Sequence, residues 1–264
     1  MIGYNDKYSL IPKGCYLFSA TSLKTFNTSK NYFYRKTLLK DSSGDPTKNT
    51  ILGTIVHHII ETILTKSKTS KDEIDKYIDS FNDKLLYSDL DWIRSKYIEM
   101  LPTLIEYYDS MFVAPKYVEH SLVHKTSDLI YLGGTLDYFG YDGELKDFKT
   151  TTQFSKITEI PLDYKQQLYT YAYLLQKHGE KVEKLTIEYI RIPATNRVSE
   201  KTGKALQDYP CEIYSLSEYL DEEFMAIIES KIKMITHHLE YVINNPDLLW
   251  LFAEDETLKG LEWR

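Results

Sequence analysis

The chain has 264 residues, 42% hydrophobic and 27% charged, with 32 Lys+Arg against 39 Asp+Glu and a formal net charge of -7. That length suits one large domain or two small ones with a buried core; the recurring apolar and aromatic residues exclude intrinsic disorder, and no apolar stretch approaches the ~18 residues of a membrane span. Taken alone, the acid excess argues against a nucleic-acid-binding protein, and the only cysteines, Cys15 and Cys211, exclude a disulfide framework, a four-Cys zinc site and a four-Cys iron–sulfur cluster.

The opening residues 1–14 lack the basic and apolar regions of a signal peptide, so a reduced, cytoplasmic setting is expected. Charge is unevenly spread. Residues 1–50 hold eight basic residues and three acids, a balance of +5. Residues 72–109 balance to -6 and residues 212–264 to -8. Acidic helices with solvated faces account for the two negative segments. The basic opening is a candidate surface for phosphates.

In chain order, Ser19–Lys40 reads as two short helices with Ser22 and Ser29 as candidate caps. Ser42–Pro46 reads as a loop. Apolar pairs at 51/52, 55/56, 59/60 and 63/64 predict a helix over 51–64. Ser70 and Glu73 form a capping-box signature ahead of Ile74, Tyr77, Ile78, Phe81 and Leu85. A third helix runs through Ile93, Tyr97, Leu101, Leu104 and Tyr108, with a kink expected at Pro102. From about 116 the period changes to two. Val118, His120, Leu122 and His124 then alternate with Tyr117, Glu119, Ser121 and Val123. Strands over Leu129–Phe139 and Glu144–Thr150 follow, joined by a turn containing Asp142-Gly143. Pro161 opens a helix to His178, with Gly179 placed for its C-terminal cap. Leu185–Ile192 is a strand stopped by Pro193. Residues 194–210, with Lys201-Thr202-Gly203-Lys204, suggest a hairpin or flap. A long helix fills about 217–244, and Trp250–Arg264 forms a tail. The expected fold class is α/β (α+β), with a central mixed sheet flanked by helices and a largely antiparallel central run. No Pro- or Gly-rich linker divides the chain, so one domain over 1–264 is expected. Its parts are a mainly helical 18–110, a core 115–192 and a C-terminal 193–264.

Three groups of residues suggest chemistry. The first is Gly134-Thr135-Leu136-Asp137-Tyr138 followed by Glu144-Leu145-Lys146-Asp147-Phe148-Lys149. Asp147 and Lys149 share a strand face. A two-residue Asp142-Gly143 loop would pair Asp137 with Phe148. A three-residue Tyr141-Asp142-Gly143 loop would pair Asp137 with Asp147 and set Gly143 in the left-handed position of a bulged turn. The three-residue loop is expected, because it assembles the cluster. Two carboxylates and a carbonyl suit a hard divalent cation such as Mg²⁺. Such an ion polarises a phosphate, and a neighbouring lysine balances charge that develops on it. The second group is Gly53, His57 and Glu61, in line at four-residue spacing on a helix, with His58 offset beside them. Both histidines lie equally far from the apolar stripe, and geometry does not choose between them. The third is Gln167 and Tyr171, four apart on a helix face and able to donate to a phosphate or hold a carboxylate.

Together these residues resemble the PD-(D/E)XK nuclease superfamily, and within it the RecB-like exonuclease branch. That branch shows Gly-x-x-x-His in a helix, an Asp in a strand, Asp/Glu-x-Lys, then Gln-x-x-x-Tyr in a helix. Here they read as Gly53–His57, Asp137, Asp147–Lys149 and Gln167–Tyr171, in order, and Phe18–Phe26 resembles the branch's Ser-rich opening. The resemblance spans most of 18–192 and implies a restriction-endonuclease-like core. It selects His57 over His58. By it, His57, Asp137, Asp147 and the Phe148 carbonyl would hold Mg²⁺ or Mn²⁺, and Lys149 would position the hydrolytic water. Gln167 and Tyr171 would support the site or a DNA strand, and Glu61 would serve as an outer or second-metal residue. The two-cysteine count separates this chain from the iron–sulfur members. Asp147 stands where many members carry Glu. The only Gly-Lys, at 203–204, lacks the upstream glycine of a phosphate loop, so a helicase motor is not expected. The implied function is metal-dependent DNA hydrolysis in recombination, repair or phage DNA metabolism, in a bacterial or phage-infected cytoplasm. DNA is the expected partner, without a membrane and with a homo-oligomer or recombination protein as a further partner. A catalytically silent DNA- or protein-binding module and an endonuclease on the same core are the alternatives.

Overall fold

The structure is a computed structural model and describes residues 7–38, 46–68, 70–111, 113–195, 202–205 and 207–245. The first strand, β1 (Tyr16–Ser19), leads into α1 (Ser22–Thr28) and α2 (Lys30–Leu38). Then come α3 (Lys48–Leu64), α4 (Lys71–Asp79) and α5 (Tyr87–Asp109), followed by the strands β2 (Pro115–Lys125), β3 (Ile130–Gly140) and β4 (Glu144–Thr151). Helix α6 (Leu162–Lys177), β5 (Lys184–Arg191), β6 (Glu212–Tyr219) and α7 (Glu222–Asn244) complete the described chain. None of the described helices is long and apolar enough to cross a membrane.

Local sequence sets most of these boundaries. Thr47 accepts from the Thr50 N–H at the start of α3, and Ser70 and Glu73 make the reciprocal capping box at α4. Ser29 accepts from Tyr32 N–H and caps α2. Ser22 does not cap α1. Its hydroxyl is buried and takes the Ser19 N–H instead, at 3.1 Å. Gly179, at φ +85°, follows the end of α6. Helix α4 stops at Asp79, short of Phe81 and Leu85, and Pro102 lies inside α5.

Two strands depart from the sequence reading. β1 lies just ahead of the two expected short helices, overlapping that reading only at its first residues, and it pairs in parallel with Ile130–Gly133 of β3. β6 occupies 212–219, partly inside the expected long helix, and runs antiparallel to β5. Its exposure alternates from Ser215 to Tyr219, a strand period that a short segment ahead of an apolar helix conceals. The expected loop at 42–46, the flap at 194–210 and the tail at 250–264 lie partly or wholly outside the described residues. The base of the 194–210 segment is closed by paired Ala194 and Tyr209.

The sheet runs β1-β3-β4-β5-β6, with β2 on the other edge of β3. β4 and β5 are parallel, with α6 as their crossover. One apolar cluster joins the buried faces of α1, α2, α6 and α7 to the sheet. The other joins α3, α4 and α5 to Tyr138, Phe148, Ile190 and Ile192. Each isoleucine buried there contributes roughly 1.5–3 kcal/mol. The result is helices on both faces of a mixed sheet, as expected.

The pairing of β3 positions the site. β1 takes the first part of one edge, up to Gly133, and β4 takes the end of that edge, at Tyr138 and Phe139. Between them lie Gly134 to Asp137. The β3–β4 turn is the three-residue Tyr141-Asp142-Gly143 loop, with Gly143 at φ +80° donating to the Gly140 carbonyl. The register therefore pairs Tyr138 with Lys146, and the next step sets Asp137 beside Asp147. Gly134 leaves room for the buried Tyr171 ring. A Cβ there would stand 2.5 Å from Tyr171 Cε1. Gly134→Ala is expected to cost about 1–3 kcal/mol of stability through overpacking. Urea unfolding checks this, and an unchanged midpoint would show that the ring moves freely.

Candidate functional site

The last rung between β3 and β4 is Tyr138–Lys146, and beyond it the Asp137 side chain takes over. Its Oδ2 accepts the Phe148 N–H at 2.6 Å. A buried backbone donor is thereby satisfied by a carboxylate, and the strands part without an unpaired N–H. Phe148 lies in the α3–α5 apolar cluster, with its ring edge-on to His57 and Tyr108. Its carbonyl meets His57 Nε2 at 3.0 Å.

His57 comes from α3, whose apolar face is pinned to the sheet. Its Nδ1 lies 3.1 Å from Glu119 Oε1 and 3.6 Å from Asp137 Oδ1. Both ring nitrogens thus face acceptors, a pattern that the doubly protonated ring satisfies. Burial would lower the His57 pKa, but the Asp137 charge and the Glu119 charge and hydrogen bond outweigh it and raise it to about 9. His58 lies apart from the cluster, with its Nδ1 3.3 Å from Glu61 Oε2.

Asp147 and Lys149 point to the α6 side of β4. Lys149 Nζ is 2.5 Å from Asp147 Oδ2 and 5.2 Å from the centre of the Tyr164 ring. Gln167 Nε2 donates to Asp147 Oδ1 at 3.2 Å and to the Tyr171 hydroxyl at 3.0 Å. Asp147 is 1% exposed. Burial pushes its pKa up, Lys149 opposes that and Asp137 adds to it, leaving it raised to about 6. Burial raises Asp137 as well, against the pull of His57. Burial lowers Lys149, but Asp147 and Asp137 reverse this and hold it above its ordinary value.

One residue was not singled out by the sequence. Glu119 falls between the rungs Val118–Tyr138 and His120–Leu136, opposite Asp137. Carboxylates therefore stand at one level on three neighbouring strands. Glu119 has φ +44°, a left-handed conformation that is costly for a residue with a side chain and concentrates at functional sites. It breaks the period of two: Tyr117 and His120, three apart, stack on one face with ring centres 4.6 Å apart. A signal was present, because a hairpin centred on Asp128 puts residue 119 opposite residue 137.

The donor set fits a divalent cation. His57, Glu119 and Asp137 offer ligand atoms within 4.8 Å of one another. The Phe148 carbonyl is in contact with His57. Asp147 Oδ2 is buried with no hydrogen bond of good geometry and is ion-paired with Lys149. Four oxygen donors and one imidazole suit Mg²⁺ or Mn²⁺.

A model of the PD-(D/E)XK nuclease superfamily matches residues 17–240. The chain belongs to this superfamily. Among solved structures, a Eubacterium rectale protein assigned as an exonuclease aligns over 92% of this chain and 85% of its own, with a TM-score of 0.56 at 12% identity. That likeness supports the fold. An alkaline exonuclease from Laribacter hongkongensis aligns over 73% of this chain and 90% of its own, with a TM-score of 0.35 at 13% identity. No curated protein gives a significant match.

The raised pKa values set the pH dependence of stability without metal. A group whose pKa is raised on folding stabilises fully below its unfolded value and loses that contribution as pH rises through the folded value. For His57 the window runs from about 6.5 to about 9. Stability of the metal-free protein is therefore expected to fall across it, by up to about 3 kcal/mol. His57→Gln is expected to flatten this decline in urea titrations at pH 6.5, 7.5 and 9. An equally steep decline in the variant would show that His57 is not the group responsible.

Proposed function

We propose that the protein is a metal-dependent deoxyribonuclease that hydrolyses phosphodiester bonds from DNA ends, a RecB-like exonuclease acting in recombination, repair or phage DNA metabolism. The observation that carries this reading is the convergence of His57, Asp137, Asp147, Lys149 and the Phe148 carbonyl at the point where β4 leaves β3. Superfamily membership supports hydrolysis of nucleic acid.

In this reading His57, Asp137, Asp147 and the Phe148 carbonyl hold Mg²⁺ or Mn²⁺. When bound, the ion supplies Lewis acidity and neutralises charge on the phosphate. The protein's own residues do the rest. Lys149 places its ammonium where it orients the attacking water and balances charge developing on the phosphoryl oxygens. Tyr164 supports that ammonium from beneath. Gln167 fixes one oxygen of Asp147, leaving the other toward Lys149 and the ion. Tyr171 anchors Gln167 and is itself wedged against Gly134. His57 gives up a proton to serve as a ligand, so ion binding is coupled to proton release. Glu119 stands within reach of the same cluster and keeps the His57 ring oriented.

The test is degradation of end-labelled single- and double-stranded DNA with Mg²⁺ or Mn²⁺. Lys149→Ala and Asp137→Asn are each expected to lower the rate at least about 10²-fold while the circular dichroism stays that of the parent. Retained hydrolysis in both would sink the site assignment. Linear DNA is expected to be degraded while a covalently closed circle survives, and cutting of the circle at an equal rate would replace the exonuclease with an endonuclease.

A further inference from the structure

The segment from Thr152 to Pro161 leaves the site and returns to it. It follows β4, which carries Lys149, and ends at the first turn of α6, where Tyr164 lies against the Lys149 ammonium. Phe154 stands in this segment with 47% of its surface exposed. Exposure alone is ordinary for a surface ring; what sets Phe154 apart is how it is held and its place beside the site.

Phe154 is held from below by buried groups. Arg191 Nη1 donates to the Phe154 carbonyl at 2.7 Å. The Tyr209 hydroxyl donates to the Thr152 carbonyl at 2.8 Å. The rings of Phe154 and Tyr209 pack with centres 5.6 Å apart, and the Arg191 guanidinium lies over Tyr209 at 5.2 Å. Arg191 and Tyr209 are 8% and 7% exposed, and Glu212 pairs with Arg191. Three contacts thus fix the backbone and one side of a ring whose remaining surface is open to solvent.

We propose that Phe154 is a stacking platform for an unpaired base of a single-stranded DNA end engaged at the candidate site. This deepens the nuclease reading and rests on it. Phe154 is five residues from Lys149, so their Cα atoms are at most about 18 Å apart, a span of a few nucleotides. A single ring is too small for a protein interface, which takes about 800 Å² from each partner. It matches one base, and stacking of a base on an aromatic side chain is worth roughly 1–3 kcal/mol whatever the sequence. The platform would hold the strand in place while leaving the chemistry to β4.

The experiment uses the full chain in two arms. In the first, Phe154→Trp is titrated with an oligo-dT strand in Ca²⁺, and its fluorescence is compared with that of the parent. Quenching beyond the parent's, lost with an abasic strand of equal length, is the expected result. No added quenching, with or without measurable binding, overturns the proposal. In the second arm, Phe154→Ala is expected to raise KM for single-stranded DNA about 5- to 150-fold, with kcat nearly unchanged and Phe154→Trp restoring it. An unchanged KM in a Phe154→Ala protein that melts like the parent also overturns it. The two readings fail separately: hydrolysis without quenching removes only the platform, and quenching without hydrolysis removes only the nuclease.

Discussion

One hydrogen bond, from the Phe148 N–H to the Asp137 carboxylate at 2.6 Å, lets two paired strands part inside a core. Antiparallel strands normally satisfy such donors with each other, and a buried N–H left alone costs roughly 1–3 kcal/mol. Here a side chain takes the place of the partner strand. The exchange frees β4 to lean toward α6, which brings Asp147 and Lys149 to Gln167, and turns the Phe148 carbonyl toward His57. It also takes one oxygen of Asp137 and leaves the other toward the cluster. The three-residue turn with Gly143 sets the register that makes this exchange fall at Asp137.

The electrostatics follow from that geometry. Asp137 and Asp147 are gathered, with Glu119 beside Asp137, where burial disfavours the charge of the two aspartates, and the protein offsets them with Lys149 and a protonated His57. This arrangement suits exchange: a divalent cation held at the cluster would supply the positive charge that the His57 proton supplies without it. The net charge of -7 is then a poor guide to the substrate. Thirteen of the 39 Asp and Glu residues lie on α4, α5 and α7, outside the cluster of Glu119, Asp137 and Asp147.

Much of this was legible in the sequence because it is local. Helix α3 follows from its apolar pairs, α4 from Ser70 and Glu73, and the β3–β4 register from the three-residue loop that alone brings Asp137 and Asp147 together. The choice of His57 over His58 was not a local matter. It came from the family resemblance; in the fold His57 meets the Phe148 carbonyl and His58 meets Glu61. Glu119 escaped because its strand reads as alternating, whereas its left-handed backbone breaks that alternation and re-aims the side chain. β1 is four residues long and exists only through its pairing with β3, and β6 was hidden by the helix that follows it. In each case long-range pairing overrode a short local pattern.

The central claim is that the parting of β3 and β4 builds one cation site from Asp137, Asp147, the Phe148 carbonyl and His57. Anomalous scattering from crystals grown with Mn²⁺ tests it most directly. The account predicts a strong peak contacting both Asp137 and Asp147 and the Phe148 carbonyl. A peak on Glu119 and His57 without Asp147, or none at the cluster, would contradict it.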